Sequence, residues 1–186
     1  MTPFDPDAAA LPESGIFGLP EDRRGSAVHV IAAPFDATSS YGDGAAEAPE
    51  AILRASHQVD LHDPAAGDPW RRGLYYLADD GSIAGFNNEA RPLAKEIITA
   101  GGAGEDPELL RSLTKVNELC GRMNDEIDLR TSAAFEDGRS PIILGGDHSV
   151  AFGALRAAAE RHPGLGILHF DAHADLRPAY EGFTWS

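Results

Sequence analysis

The sequence predicts an α/β fold: three layers built on a mainly parallel sheet flanked by helices. Three observations predict it. Short apolar runs end in turn formers and give way to helical patterning. A long apolar stripe at spacings of three and four marks a helix in the middle of the chain. Pro141 to Leu144, Ser149 to Arg161 and Gly166 to Phe170 read in order as strand, helix, strand, a unit that requires parallel strands.

Taken in order, residues 1–26 read as a loosely ordered N-terminal arm rich in Pro, Ala and acids, and 27–186 as a portion of a single α/β domain. Ala27 to Ala33 is a first strand ended by Pro34, and Phe35 to Gly44 is a loop dense in turn formers. Glu47 to Ser56 is a helix with Pro49 in its first turn, and Val59 to His62 is a candidate second strand. Asp63 to Gly81 is irregular. Phe86 to Ala100 is helical, and Pro92 places the start of the helix proper near itself. Asp106 caps the strong helix that begins at Pro107, and its stripe runs through Leu109, Leu110, Leu113, Val116, Leu119, Cys120, Met123 and Ile127. Cys120 on that stripe reads as a buried, inert thiol.

Composition limits the function classes. The chain has 186 residues and 42% apolar content, enough for a core, and no apolar run of transmembrane length. No basic segment followed by an apolar stretch opens it, so no signal peptide is read. With one cysteine, no internal disulfide or thiolate cluster can form, which fits a reducing, cytoplasmic compartment. Fifteen basic against 30 acidic residues give a net charge of −15, which argues against nucleic acid or membrane as partner. The same field would steer a cationic substrate inward, or merely keep the protein soluble.

Two polar motifs fall at the carboxyl ends of the last predicted strands, the edge where open α/β sheets place their ligands. Gly145-Gly146-Asp147-His148-Ser149 follows one, and Asp171-Ala172-His173-Ala174-Asp175 follows the other. If the backbone stays extended past Phe170, then Asp171, His173 and Asp175 share one side, with small alanines between them. Carboxylates and imidazoles without thiolate suit divalent ions such as Mn²⁺, Ni²⁺ or Zn²⁺, and one carboxylate can bridge two ions. An anion site at a helix N-terminus is the alternative for the first motif alone. His29 reads as a core or edge residue, while His57, His62 and His162 read as surface or capping residues. Tyr41 to Gly44 is either a lip of the site or an ordinary turn.

The pair GGDHS and HFDAHAD resembles the ureohydrolase family, which includes arginase, agmatinase and related amidino hydrolases. The likeness is sharp from Pro141 to Ser186 and extends to Ala27–Asp60. It implies two divalent metal ions, Mn²⁺ first and Ni²⁺ as the alternative. His148 and Asp175 would bind one ion and His173 the other, while Asp171 would bridge both ions and the hydroxide between them, its catalytic role. It implies hydrolysis of a linear C–N bond in a guanidino or amidino compound, agmatinase-like, releasing urea and an amine. A homo-oligomer, trimer or hexamer, follows from the same likeness. The family's third motif, Ser-x-Asp-x-Asp, has no counterpart up to Ser186. The fold is therefore expected to be incomplete at the C-terminus, and residues 1–186 alone to bind metal weakly and turn over little. Arg177, Tyr180 and Glu181 would lie at the substrate end. Arg177 counts against arginine as substrate and is similar to a position in formimidoylglutamate hydrolases and in a guanidine hydrolase branch that prefers nickel; a structural ion pair with Glu181 is the other reading. The rivals are a single-zinc amide hydrolase of deacetylase type and a non-catalytic scaffold of the same fold.

Overall fold

The computed structural model describes residues 4–176 and 179–185. Its frame is a parallel sheet of three strands, β1 (Val28–Ala33), β2 (Leu74–Leu77) and β3 (Ser140–Gly145), in the order β2-β1-β3. Val28 pairs with Leu74 on one side and Ser140 on the other, and the second ladder runs on to Ala33 opposite Gly145. The central strand is buried on both faces, which is why it reads as an uninterrupted apolar run. On one face Ala33 joins the main core with residues of α2 (Ser82–Ala100), α3 (Pro107–Glu136) and α4 (Ala151–Arg161). On the other, Val30, Ala32 and Tyr76 pack with Ile16 and with Leu53 of α1 (Ala48–Ser56). Three layers result, as the strand and helix patterning requires. The N-terminal segment, expected to be loose, is tied in here: Ile16 and Leu19 are buried, and Phe17 N–H donates to Ser56 Oγ at 2.8 Å.

The long helix forms where its cap and stripe place it. Asp106 accepts from the N–H groups of Glu108 and Leu109, two donors that the first turn leaves unpaired. Val116, Leu119, Cys120, Met123 and Ile127 are fully buried, while Leu110 falls off the stripe and is exposed. Burial pushes the Cys120 thiol up to about 12. Native protein at pH 8 is therefore expected to leave a disulfide reagent unreacted over the time in which urea-unfolded protein reacts fully. Rapid stoichiometric labelling of the native state would contradict this.

Four expectations are corrected. Val59–His62 forms no strand; β2 lies further on, in the stretch read as irregular, and as a four-residue edge strand it was too short to show a period. The second helix starts ten residues before Pro92. Asp79 caps it, accepting from Ile83 and Ala84 N–H, and Pro92 is tolerated because it and Asn88 lie on the exposed face, where the carbonyl that Pro92 cannot bond meets water. Gly166–Phe170 forms no strand either. Ile167 and Phe170 are largely exposed, and β3 keeps an open edge with Ile142 half exposed. A parallel strand needs cover on both faces, and residues 166–170 are all exposed, with no cover among the described residues. The chain beyond Phe170 is also not extended: it bends at Ala172 and His173, and Asp175 takes a left-handed conformation at φ 49°.

Candidate metal centre

The site begins where β3 ends. The backbone at Gly146 passes so close to the first loop that a Cβ there would lie 2.1 Å from the Phe35 carbonyl oxygen, so only glycine fits. Asp147 N–H donates to that same carbonyl at 2.9 Å. The Asp147 carboxylate then accepts from the Ser149 N–H and hydroxyl, closing a single tight turn over His148–Val150 that leads into α4. Burial pushes the Asp147 carboxyl above the usual carboxylate range, against the pull of Ser149 and Thr38. Ser149 and Val150 are buried beneath the turn, so His148 is the residue it projects outward.

The segment after α4 brings the other donors. His148 Nδ1 lies 2.6 Å from Asp175 Oδ2 and 3.6 Å from Asp171 Oδ2. His169 Nε2 lies 3.7 Å from the same Asp171 oxygen, and its ring stands 5.1 Å from the His148 ring. The other Asp171 oxygen, Oδ1, accepts the His173 N–H at 2.8 Å and lies 3.3 Å from His173 Nδ1. The His173 N–H, helped by the neighbouring imidazoles of His148, His169 and His173, holds the Asp171 carboxyl below its ordinary value. His148, His169, Asp171 and Asp175 each offer one ligand atom, and these atoms all lie within 4.8 Å of one another. Two imidazole nitrogens and two carboxylate oxygens fit one divalent ion of the borderline class. A second ion would find Asp171 Oδ1 and His173 on the far side, and no further donor groups with them among the described residues.

Of the four sequence-derived ligands, the structure gathers His148, Asp171 and Asp175. His173 touches Asp171 but points mostly to solvent, because the bend at 172–173 takes it off the shared side. His169 stands in the cluster and was missed. The alternation that selects 171, 173 and 175 includes 169 too, but the sequence places His169 inside the strand Gly166–Phe170 and not in the motif that follows it. Arg177 lies outside the described residues. Tyr180 and Glu181 belong to a small hook closed by a bridge between Tyr180 and Phe183, and neither enters the donor cluster. His29 is buried in β1 and bonded to the Arg23 carbonyl. Tyr41 to Gly44 is a braced turn: Arg91 binds Asp43 and the Gly42 carbonyl, and Tyr41 itself is exposed.

Residues 26–186 match the arginase family. The chain belongs to that family. It is 31% identical over 175 residues to a proclavaminate amidinohydrolase of Streptomyces clavuligerus, covering 88% of this chain and 43% of that protein. It is 28% identical over 157 residues to an agmatinase of Bacillus anthracis, covering 84% and 43%. In fold, this arginase-family chain is similar to the agmatine ureohydrolase of Thermoplasma volcanium, with a TM-score of 0.54 at 24% identity, covering 88% of this chain and 45% of that one. It thus spans less than half the length of these relatives. Among the described residues no helix is long and apolar enough to cross a membrane.

Proposed function

We propose that the protein to which this arginase-family chain belongs is a metal-dependent hydrolase of guanidino or amidino compounds, agmatinase-like in releasing urea and an amine. The observation that carries this reading is the disposition of Asp171. One of its oxygens faces His148 and His169, and the other faces His173, as a carboxylate shared between two cations requires. Similarity to an amidinohydrolase and an agmatinase supports the substrate class.

Two divalent ions, Mn²⁺ first and Ni²⁺ as the alternative, would supply Lewis-acid polarisation and an acidified water when bound. His148 and Asp175 would hold one, with His169 beside them, and His173 would hold the other. In the reaction the water oxygen bonds to the guanidinium carbon, the C–N bond to the amine breaks, and the amine leaves with a proton. The net charge of −15 draws a cationic substrate toward the exposed mouth. Arg177, Tyr180 and Glu181 would lie at the substrate end, and Arg177 would disfavour an arginine head group. A cytoplasmic homo-oligomer completes the proposal.

The test is a substrate panel on the natural protein, loaded separately with Mn²⁺ and Ni²⁺. Urea release from agmatine or guanidinobutyrate is the expected result. Urea from free guanidine alone, or formamide from formimidoylglutamate, would move the substrate within the class. Turnover of none of the four with either metal would overturn the proposal.

A further inference from the structure

We infer that Thr38 is a positioning residue for His148, acting through Asp147. The inference rests on the metal-binding reading of His148. Thr38 is 2% exposed, so water does not serve its hydroxyl. That hydroxyl donates to Asp147 Oδ2 at 3.2 Å, across 109 residues of sequence. The other Asp147 oxygen takes the Ser149 N–H and hydroxyl, and Asp147 N–H is bound to Phe35 O. The residues on both sides of His148 are therefore tied down from behind. In front, among the described residues, His148 faces the carboxylates of Asp171 and Asp175 and the ring of His169, all on an exposed segment. The Asp147 turn thus fixes the backbone from which the imidazole projects.

The loop that carries Thr38 is braced to match. Buried Asp36 accepts from Gly44 N–H, Ala46 N–H and Asn87 Nδ2. The Arg91 guanidinium of α2 donates to the carbonyls of Ala37 and Ser39, the two neighbours of Thr38, at 3.0 and 2.7 Å. Hydrogen bonds from α2 thus hold the backbone on both sides of Thr38, and the Thr38 hydroxyl links it on to Asp147 and the turn that presents His148. Metal ligands tolerate little displacement, and groups that orient them typically govern affinity by about 10–100-fold.

Thr38→Val keeps the branched shape and removes only the hydroxyl. In the natural protein, titrated with Mn²⁺ alone and followed by the resonance of free Mn²⁺, it is expected to weaken binding at least about tenfold. Thr38→Ser, which restores the donor, is expected to stay within about twofold of the unsubstituted protein. Should the valine variant not fold, Thr38→Ala carries the same expectation. A valine variant with a lowered Tm but unchanged Mn²⁺ affinity would make Thr38 merely structural and overturn the inference while leaving the functional reading intact. Unsubstituted protein that binds no Mn²⁺ or Ni²⁺ would overturn the functional reading, and the inference with it.

Discussion

Replacing Asp171 by asparagine in the natural protein is expected to lower kcat/KM for its guanidino substrate by on the order of 10³-fold or more, and to drop bound metal below two ions per chain. The carboxylate places one oxygen near His148 and His169 and the other near His173. An amide keeps one acceptor and turns an NH₂ toward the other side, where a cation would have to sit. The charge available to neutralise the ions would fall by one, and one of the two carboxylate acceptors would be lost. Lewis-acid stabilisation is worth several kcal/mol, and each 1.36 kcal/mol is tenfold in rate, which sets the scale. His62→Gln is the control, because His62 is exposed and outside the donor cluster. An asparagine variant with full turnover and full metal content would refute the assignment of Asp171.

Phe183→Ala is expected to cost about 3–5 kcal/mol of stability, read as a lowered urea midpoint at unchanged m-value. Phe183 is fully buried in the main core with Leu119 and Met123, although it lies in an otherwise exposed tail. Its neighbours are pinned as well: Asn117 donates to Gly182 O and accepts from Thr184 N–H, both at 3.0 Å. The segment bearing Asp171 and Asp175 is therefore tethered at its far end to α3. Loss of the ring leaves a cavity and frees that tether, so weaker Mn²⁺ binding should accompany the lost stability. A change below about 1 kcal/mol would show that Phe183 does not pack in the core.

The site was partly legible because its residue types are few and its motifs compact. GGDHS at a strand end, with glycine where a Cβ would meet the Phe35 carbonyl, is a local pattern with a local cause. The place of His169 in the cluster, and of His173 at its margin, was not legible, since it turns on a backbone bend at 172–173 that no periodicity announces. Thr38 was not legible either. An isolated threonine in a turn-rich loop carries no signal until the fold sets it against Asp147.

By itself the sequence determined the α/β class, the caps and stripe of α3, the central strand β1, the turn into α4 and membership in the resemblance that names the candidate ligands. Those features depend on residues within about four positions of one another, or on burial of a whole run, and short-range chemistry suffices for them. Tertiary structure alone decided the short edge strand β2, the passage of α2 through Pro92, the open edge of β3 and the grouping of His148 with His169, Asp171 and Asp175. Each of these is settled by which surface covers which backbone group: a neighbouring strand, solvent beside Pro92, or a carboxylate brought in from another element. Such contacts join residues far apart in sequence, so no local pattern encodes them.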